Sequence, residues 1–176
     1  MSRAAQRATE LSWVALGGVH GGVLAGLGMV GWFLLSSSLL QQPTWTVPNL
    51  IAALVNGDAV LRRGFGSGSL VGLALVLVAA GTLGAAFALL TWRVSHRRRL
   101  LLGILVGLAA YYATQALMFR KLGAVAWVYA SPRSLLVAHL LWGALLGWQA
   151  RAPVPKVPGG AVSSSSDGEA PGIRIE

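Results

Sequence analysis

Two histidines, His20 and His139, fall inside long apolar stretches of this 176-residue chain. Their ordinary titration range lies near neutrality, and an ionisable group in apolar surroundings invites a reading as ligand, proton relay or pH sensor. Their depths argue against a shared role. His20 lies about nine residues into its stretch and His139 about five into its own, entering from opposite sides. At about 1.5 Å of rise per residue their Cα atoms differ in depth by several ångströms to about 10 Å, too far for one metal ion to join them easily. A neutral histidine that forms a hydrogen bond across a helix contact is the more ordinary use, and His139 shares a helical face with Gly143 and Gly147. Tyr111 and Gln115, spaced by four, also share a face. With the histidines they make a candidate polar pocket of His20, Tyr111, Gln115 and His139, for which a satisfied interhelical hydrogen-bond pair is the commoner explanation. Thr82 and Thr114 add polar groups inside these stretches, and the run Ser36–Ser38 stands at the outer end of the first.

No Asp, Glu, Lys or Arg lies deep within an apolar stretch, whereas ion-coupled carriers usually place one near the bilayer midplane. Glu10 stands at an edge beside Arg7, suited to an interfacial ion pair or a helix start. The sequence shows no paired carboxylates, no Ser-His-Asp pattern, no histidines at metal spacing and no dinucleotide fingerprint. The glycine-rich piece Gly64–Gly68 lacks the strand and lysine of a phosphate loop. Cysteine is absent, which excludes disulfides and thiolate chemistry. The expectation is a protein without catalytic residues, metal or cofactor.

The elements that carry these residues follow from composition. Hydrophobic residues make up 55% of the chain and charged ones 11%, with a mean hydropathy of +0.67, which excludes a water-soluble globule and wholesale disorder. Crossing roughly 30 Å of hydrocarbon takes about 20 helical residues, and four stretches approach that length: 11–35, 70–92, 100–119 and 134–150. None alternates as a barrel strand would, so each is read as a helix. The fold class expected is an all-α integral membrane protein, a four-helix transmembrane bundle over residues 1–150. The first stretch is too long for a signal peptide and lacks a cleavage site, so it is read as retained.

Arginine and lysine set the orientation. The segment Arg93–Arg99 holds four arginines in seven residues. With Arg3, Arg7, Arg151 and Lys156, eight basic residues fall on one side, against Arg62, Arg63, Arg120, Lys121 and Arg133 on the other. Both termini are therefore expected in the cytoplasm of a cell-membrane protein, the inner membrane if the source is bacterial. Arg97–Arg99 also suits anionic lipid headgroups, and no fold signal supports nucleic acid as a partner for the net charge of +9. On the far side, residues 48–56 read as a short interfacial helix, opened by Pro48 and closed by Gly57. Trp127 and Tyr129 suit the headgroup level. Residues 151–176, rich in Pro, Gly and Ser, read as a disordered cytoplasmic tail.

Small residues at four-residue spacing mark helix contacts: Gly18, Gly22 and Gly26, then Gly103 and Gly107, then Gly143 and Gly147. The halves also share an order. Gly22–Gly26, Trp45, Pro48 and Ser69 are echoed by Gly103–Gly107, Trp127, Pro132 and Ser134, as in two parallel two-helix repeats. The expected function is a small non-catalytic membrane component, self-associating or accessory to a larger assembly, with lipid and a membrane protein or a second copy as partners. The alternative is a carrier or channel for a small neutral or anionic solute, and an enzyme acting on lipid through a histidine base ranks third.

Overall fold

The computed structural model describes residues 2–62, 64–123 and 131–149. The expected tail at 151–176 and the aromatic pair Trp127 and Tyr129 lie outside the described residues. Among those described the chain is all-helical, without strands.

The first helix, α1 (Arg3–Leu39), is opened by Ser2, whose Oγ accepts from the Ala5 N–H at 3.3 Å, and runs 37 residues without a proline. A turn through Gln41, with φ at 53°, leads to α2 (Thr46–Asn56). Pro48 sits in its first turn, where no intrahelical N–H bond is lost, and Gly57 ends it at φ 79°, a left-handed value that favours glycine. One 3₁₀ stretch, Asp58–Arg62, precedes α3 (Ser67–Thr91). Then come α4 (His96–Leu122), stopped at Gly123 with φ 60°, and α5 (Pro132–Trp148), which starts on a proline. The helices α1, α3 and α4 are long and apolar enough to cross a membrane. At 17 residues α5 is shorter, about 25 Å.

Packing divides the helices into two antiparallel pairs. In one, α1 lies along α3, with Gly18 and Gly22 against Ala80, Gly84 and Ala85. In the other, α4 lies along α5, with Gly103 and Gly107 against His139, Gly143 and Gly147. At both crossings backbone meets backbone: a Cβ placed on Gly143 would stand 3.0 Å from Gly107 Cα, and one on Gly84 2.6 Å from Gly22 Cα. Such approach lets van der Waals contact hold helices together where no hydrophobic gain is available between them.

The contact between α1 and α5 joins the pairs and is pinned at both ends. At one end Trp32 Nε1 donates to Ser134 O at 3.1 Å and Ser134 Oγ donates to Ser36 Oγ at 2.8 Å. At the other, Gln149 Nε2 donates to Gly21 O at 2.7 Å. Across the first of these ends lies α2, seated where Gly72 of α3 meets the Pro48 backbone. Buried Ser69 donates to Asn49 Oδ1 at 2.7 Å, and Asn49 Nδ2 donates to Gly64 O at 3.4 Å, so the α2 seat is polar and satisfied. Although consecutive in sequence, α3 and α4 scarcely touch.

Candidate functional site

Where α3 and α4 stand apart, a cavity of about 440 Å³ opens, within the range of small-molecule sites. Its floor is formed by Met29 and Phe33 of α1 and by Leu135, His139 and Trp142 of α5. Ile51 and Leu54 of α2 close one end, with Lys121 nearby. Leu75 and Leu83 on α3 and Leu117 on α4 line it yet are exposed, so the crevice opens sideways between these two helices. Its walls are apolar apart from Thr114, Lys121, His139 and the indole of Trp142.

The polar residues of α5 are held against α4. His139 is buried, and its Nδ1 lies 2.8 Å from Leu135 O one turn back. A carbonyl only accepts, so Nδ1 carries the proton, and in the neutral ring Nε2 accepts from Thr114 Oγ1 at 3.1 Å. Both ring nitrogens are thus engaged, and the Thr114 hydroxyl ties α4 to α5. The Tyr111 ring meets that of His139 edge-on, with centroids 6.0 Å apart. Gln115 Nε2 donates to Tyr111 Oη at 2.9 Å. That bond joins neighbours four apart on α4 rather than two helices, so the expected interhelical pair is an intrahelical one.

Three members of the candidate polar pocket, Tyr111, Gln115 and His139, therefore share one locality, and of these His139 lines the cavity. His20 does not join them. It is exposed, and its neighbour Gly21 is level with Gln149 at the C-terminal end of α5. Ten residues separate His139 from Gln149, so the two histidines stand about 15 Å apart along the helix axes. Hydropathy placed His20 well inside a span beginning near residue 11; the packing places it at the level where α5 ends.

Two residues that sequence reasoning passed over close this same end. Arg99 reads in the sequence as part of the same topology signal as Arg97 and Arg98, yet it is buried while those two are exposed. Its Nη2 donates to Gln149 O at 2.7 Å and its Nε to Gly147 O at 3.4 Å, supplying donors to the last carbonyls of α5 and positive charge to the negative end of that helix. Gln149 meanwhile spans to α1. The available signal was spacing: with α4 and α5 antiparallel and in register at Gly103 and Gly143, a residue four before Gly103 falls at the end of α5.

The seven packing glycines lie at contacts within the chain. Gly18 and Gly22 face α3, Gly26 meets Ala80 and Leu77, and Gly103, Gly107, Gly143 and Gly147 mesh with one another. No protein-family model, curated protein or solved structure matches this chain.

Proposed function

We propose that the chain is a non-catalytic component of a membrane assembly: a four-crossing bundle with both ends on the arginine-rich, cytoplasmic side, which associates through the outward face of α4. Basic residues at the α3–α4 turn and near the N-terminus support the orientation. In this reading α1 enters the membrane near Gly18 and its first turns stand beyond it, while the short α5 is accommodated by local thinning of the bilayer. The two glycine-packed pairs form parallel repeats, with α1 and α4 running in the same direction. Matching them by contact aligns Gly18 and Gly22 with Gly103 and Gly107, one turn from the alignment suggested by sequence order.

The observation that carries association is Tyr112. It is 64% exposed near the middle of the apolar part of α4, its ring leans on Tyr111, and its hydroxyl has no hydrogen bond among the described residues. Lipid tails offer a phenol no acceptor, whereas a neighbouring helix does. Ala109 and Ala113, both exposed, flank it at the spacing that admits a close helix. The seven packing glycines meet neighbours inside the chain, and the exposed face of α4 combines small residues with a hydroxyl that has no hydrogen bond among the described residues, which favours it for a partner. Native mass measurement of the full chain in mild detergent tests the reading. The wild type should run as an oligomer or with a stoichiometric membrane partner, and Ala113→Leu with Tyr112→Phe should release a monomer. A wild-type monomer without a partner would overturn it.

A further inference from the structure

The turn between α3 and α4 gathers positive charge that the bundle does not balance. Residues 93–99 carry Arg93, Arg97, Arg98 and Arg99, whereas the whole of residues 1–150 holds two acids, Glu10 and Asp58. Acidic residues are favoured in the first turn of a helix, at the positive end of its dipole, and the first turn of α4 has none. The structure divides the cluster. Arg99 is buried against the end of α5, while Arg93, Arg97 and Arg98 are exposed. Of these three, Arg93 and Arg98 line a hollow of about 750 Å³ together with Ser95 and the exposed Leu101 and Leu102, and Arg97 lies outside its lining. The Ser95 hydroxyl is not spent on capping α4. The Arg93 guanidinium lies 4.3 Å from the centre of the Trp92 ring, an aromatic suited to the headgroup level. Leu101 and Leu102 stand three and four residues beyond Arg98, about 5 Å further into the apolar part of α4. The hollow is therefore cationic at one end and apolar at the other.

We propose that this hollow binds one anionic phospholipid per chain, its phosphodiester held by Arg93 and Arg98 and its acyl chains laid along Leu101 and Leu102. The inference rests on the membrane reading above but not on association through α4. Charge and shape together select the ligand class. A guanidinium presents paired N–H donors that match the oxygens of a phosphate, and Ser95 adds a hydroxyl beside the two arginines. A zwitterionic headgroup brings its own ammonium to the phosphate and so gains less from two cations. Free phosphate would meet the arginines but leave the leucines uncovered. An anionic lipid answers both ends of the hollow at once. In the sequence, contact with such headgroups falls to Arg97–Arg99; the structure withdraws Arg99, sets Arg97 aside and brings in Arg93 and Ser95. That exchange turns a diffuse basic run into a bounded site.

The test titrates the purified full-length chain in mild detergent with dioleoyl phosphatidylglycerol or dioleoyl phosphatidylcholine and counts bound lipid by native mass spectrometry. Phosphatidylglycerol should saturate at one per chain and bind roughly tenfold or more tightly than phosphatidylcholine, as two arginines near a phosphate warrant. Inorganic phosphate in about a hundredfold excess over the lipid should not displace it, because the tails hold what phosphate cannot. Arg97→Gln and Arg98→Gln remove the same charge from adjacent exposed positions. Arg98→Gln should cut the preference about fivefold, whereas Arg97→Gln should leave it within about twofold. Should Arg98→Gln not fold, Arg93→Gln carries the same expectation. Equal binding of the two lipids, displacement by phosphate, or an unaltered preference in a folded Arg98→Gln or Arg93→Gln protein would overturn the proposal. So would equal losses in Arg97→Gln and Arg98→Gln, which would reduce the cluster to a diffuse positive surface. The oligomeric state in the same spectra reports separately on association through α4.

Discussion

The α1/α3 pair and the α4/α5 pair solve the same packing problem with different amounts of polar chemistry. Both cross at glycine, backbone against backbone. Among the described residues no side-chain hydrogen bond joins α1 to α3: the Thr82 and Thr91 hydroxyls turn back onto their own helix, to Val78 O at 2.8 Å and Phe87 O at 2.7 Å. Between α4 and α5 the Thr114–His139 bond and the Arg99 contacts to Gly147 and Gln149 are laid over the glycine seam. The difference teaches that close packing suffices to hold a helix pair in an apolar medium, and that polar bonds fix what packing leaves free, namely sliding and rotation. They are spent on the pair that floors the crevice, where α5 also holds the joint to α1.

The most damaging way to break the comparison is at the seams themselves. Gly143→Leu and Gly84→Leu each force a side chain into a neighbouring backbone, and each should cost more than the roughly 1–3 kcal/mol typical of overpacking, enough to lose monodisperse protein in size-exclusion chromatography. Gly31→Leu, where an added Cβ meets nothing within 4 Å, should leave the elution profile unchanged. If Gly84→Leu were tolerated while Gly143→Leu was not, the two seams would not be equivalent.

Next in size is Arg99. Hydrogen bonds from a charged donor contribute about 1.5–3 kcal/mol, so Arg99→Met should lower the thermal midpoint clearly, while Arg97→Gln should change stability by no more than about 0.5 kcal/mol. Equal effects would return Arg99 to the topology signal in which the sequence places it.

The smallest effect sharpens the contrast most. A double-mutant cycle on Thr114→Val and His139→Phe should yield a coupling of about 0.6 kcal/mol, with about 1.7 as a ceiling. Thr82→Val on α3, whose hydroxyl serves its own helix, should show no measurable loss in the same denaturation assay.

Hydropathy and turn chemistry made much of the architecture visible in the sequence. Apolar runs marked α1, α3 and α4, and Pro48 and Gly57 bracketed α2, because these signals are local. The crevice left no mark, since it arises from the failure of α3 and α4 to pack, and no residue period records a contact that is not made. His20 reads in the sequence as part of one long apolar run, and only the contact of its neighbour Gly21 with Gln149 shows that it stands level with the end of α5. Trp142 gives no sign in the sequence for a related reason: an indole in an apolar run looks like filling until the described residues around it show no acceptor for the N–H.

Everything above depends on lipid surrounding the two pairs, and the absence of cysteine makes that directly measurable. Single cysteines at Ser2, Gln42, Ser95 and Ser131 should divide cleanly when intact cells are treated with a membrane-impermeant maleimide. The account predicts labelling at Gln42→Cys and Ser131→Cys and protection at Ser2→Cys and Ser95→Cys until the membrane is opened. Labelling of Ser2→Cys and Ser131→Cys from the same side, or recovery of the chain in the detergent-free soluble fraction, would contradict it.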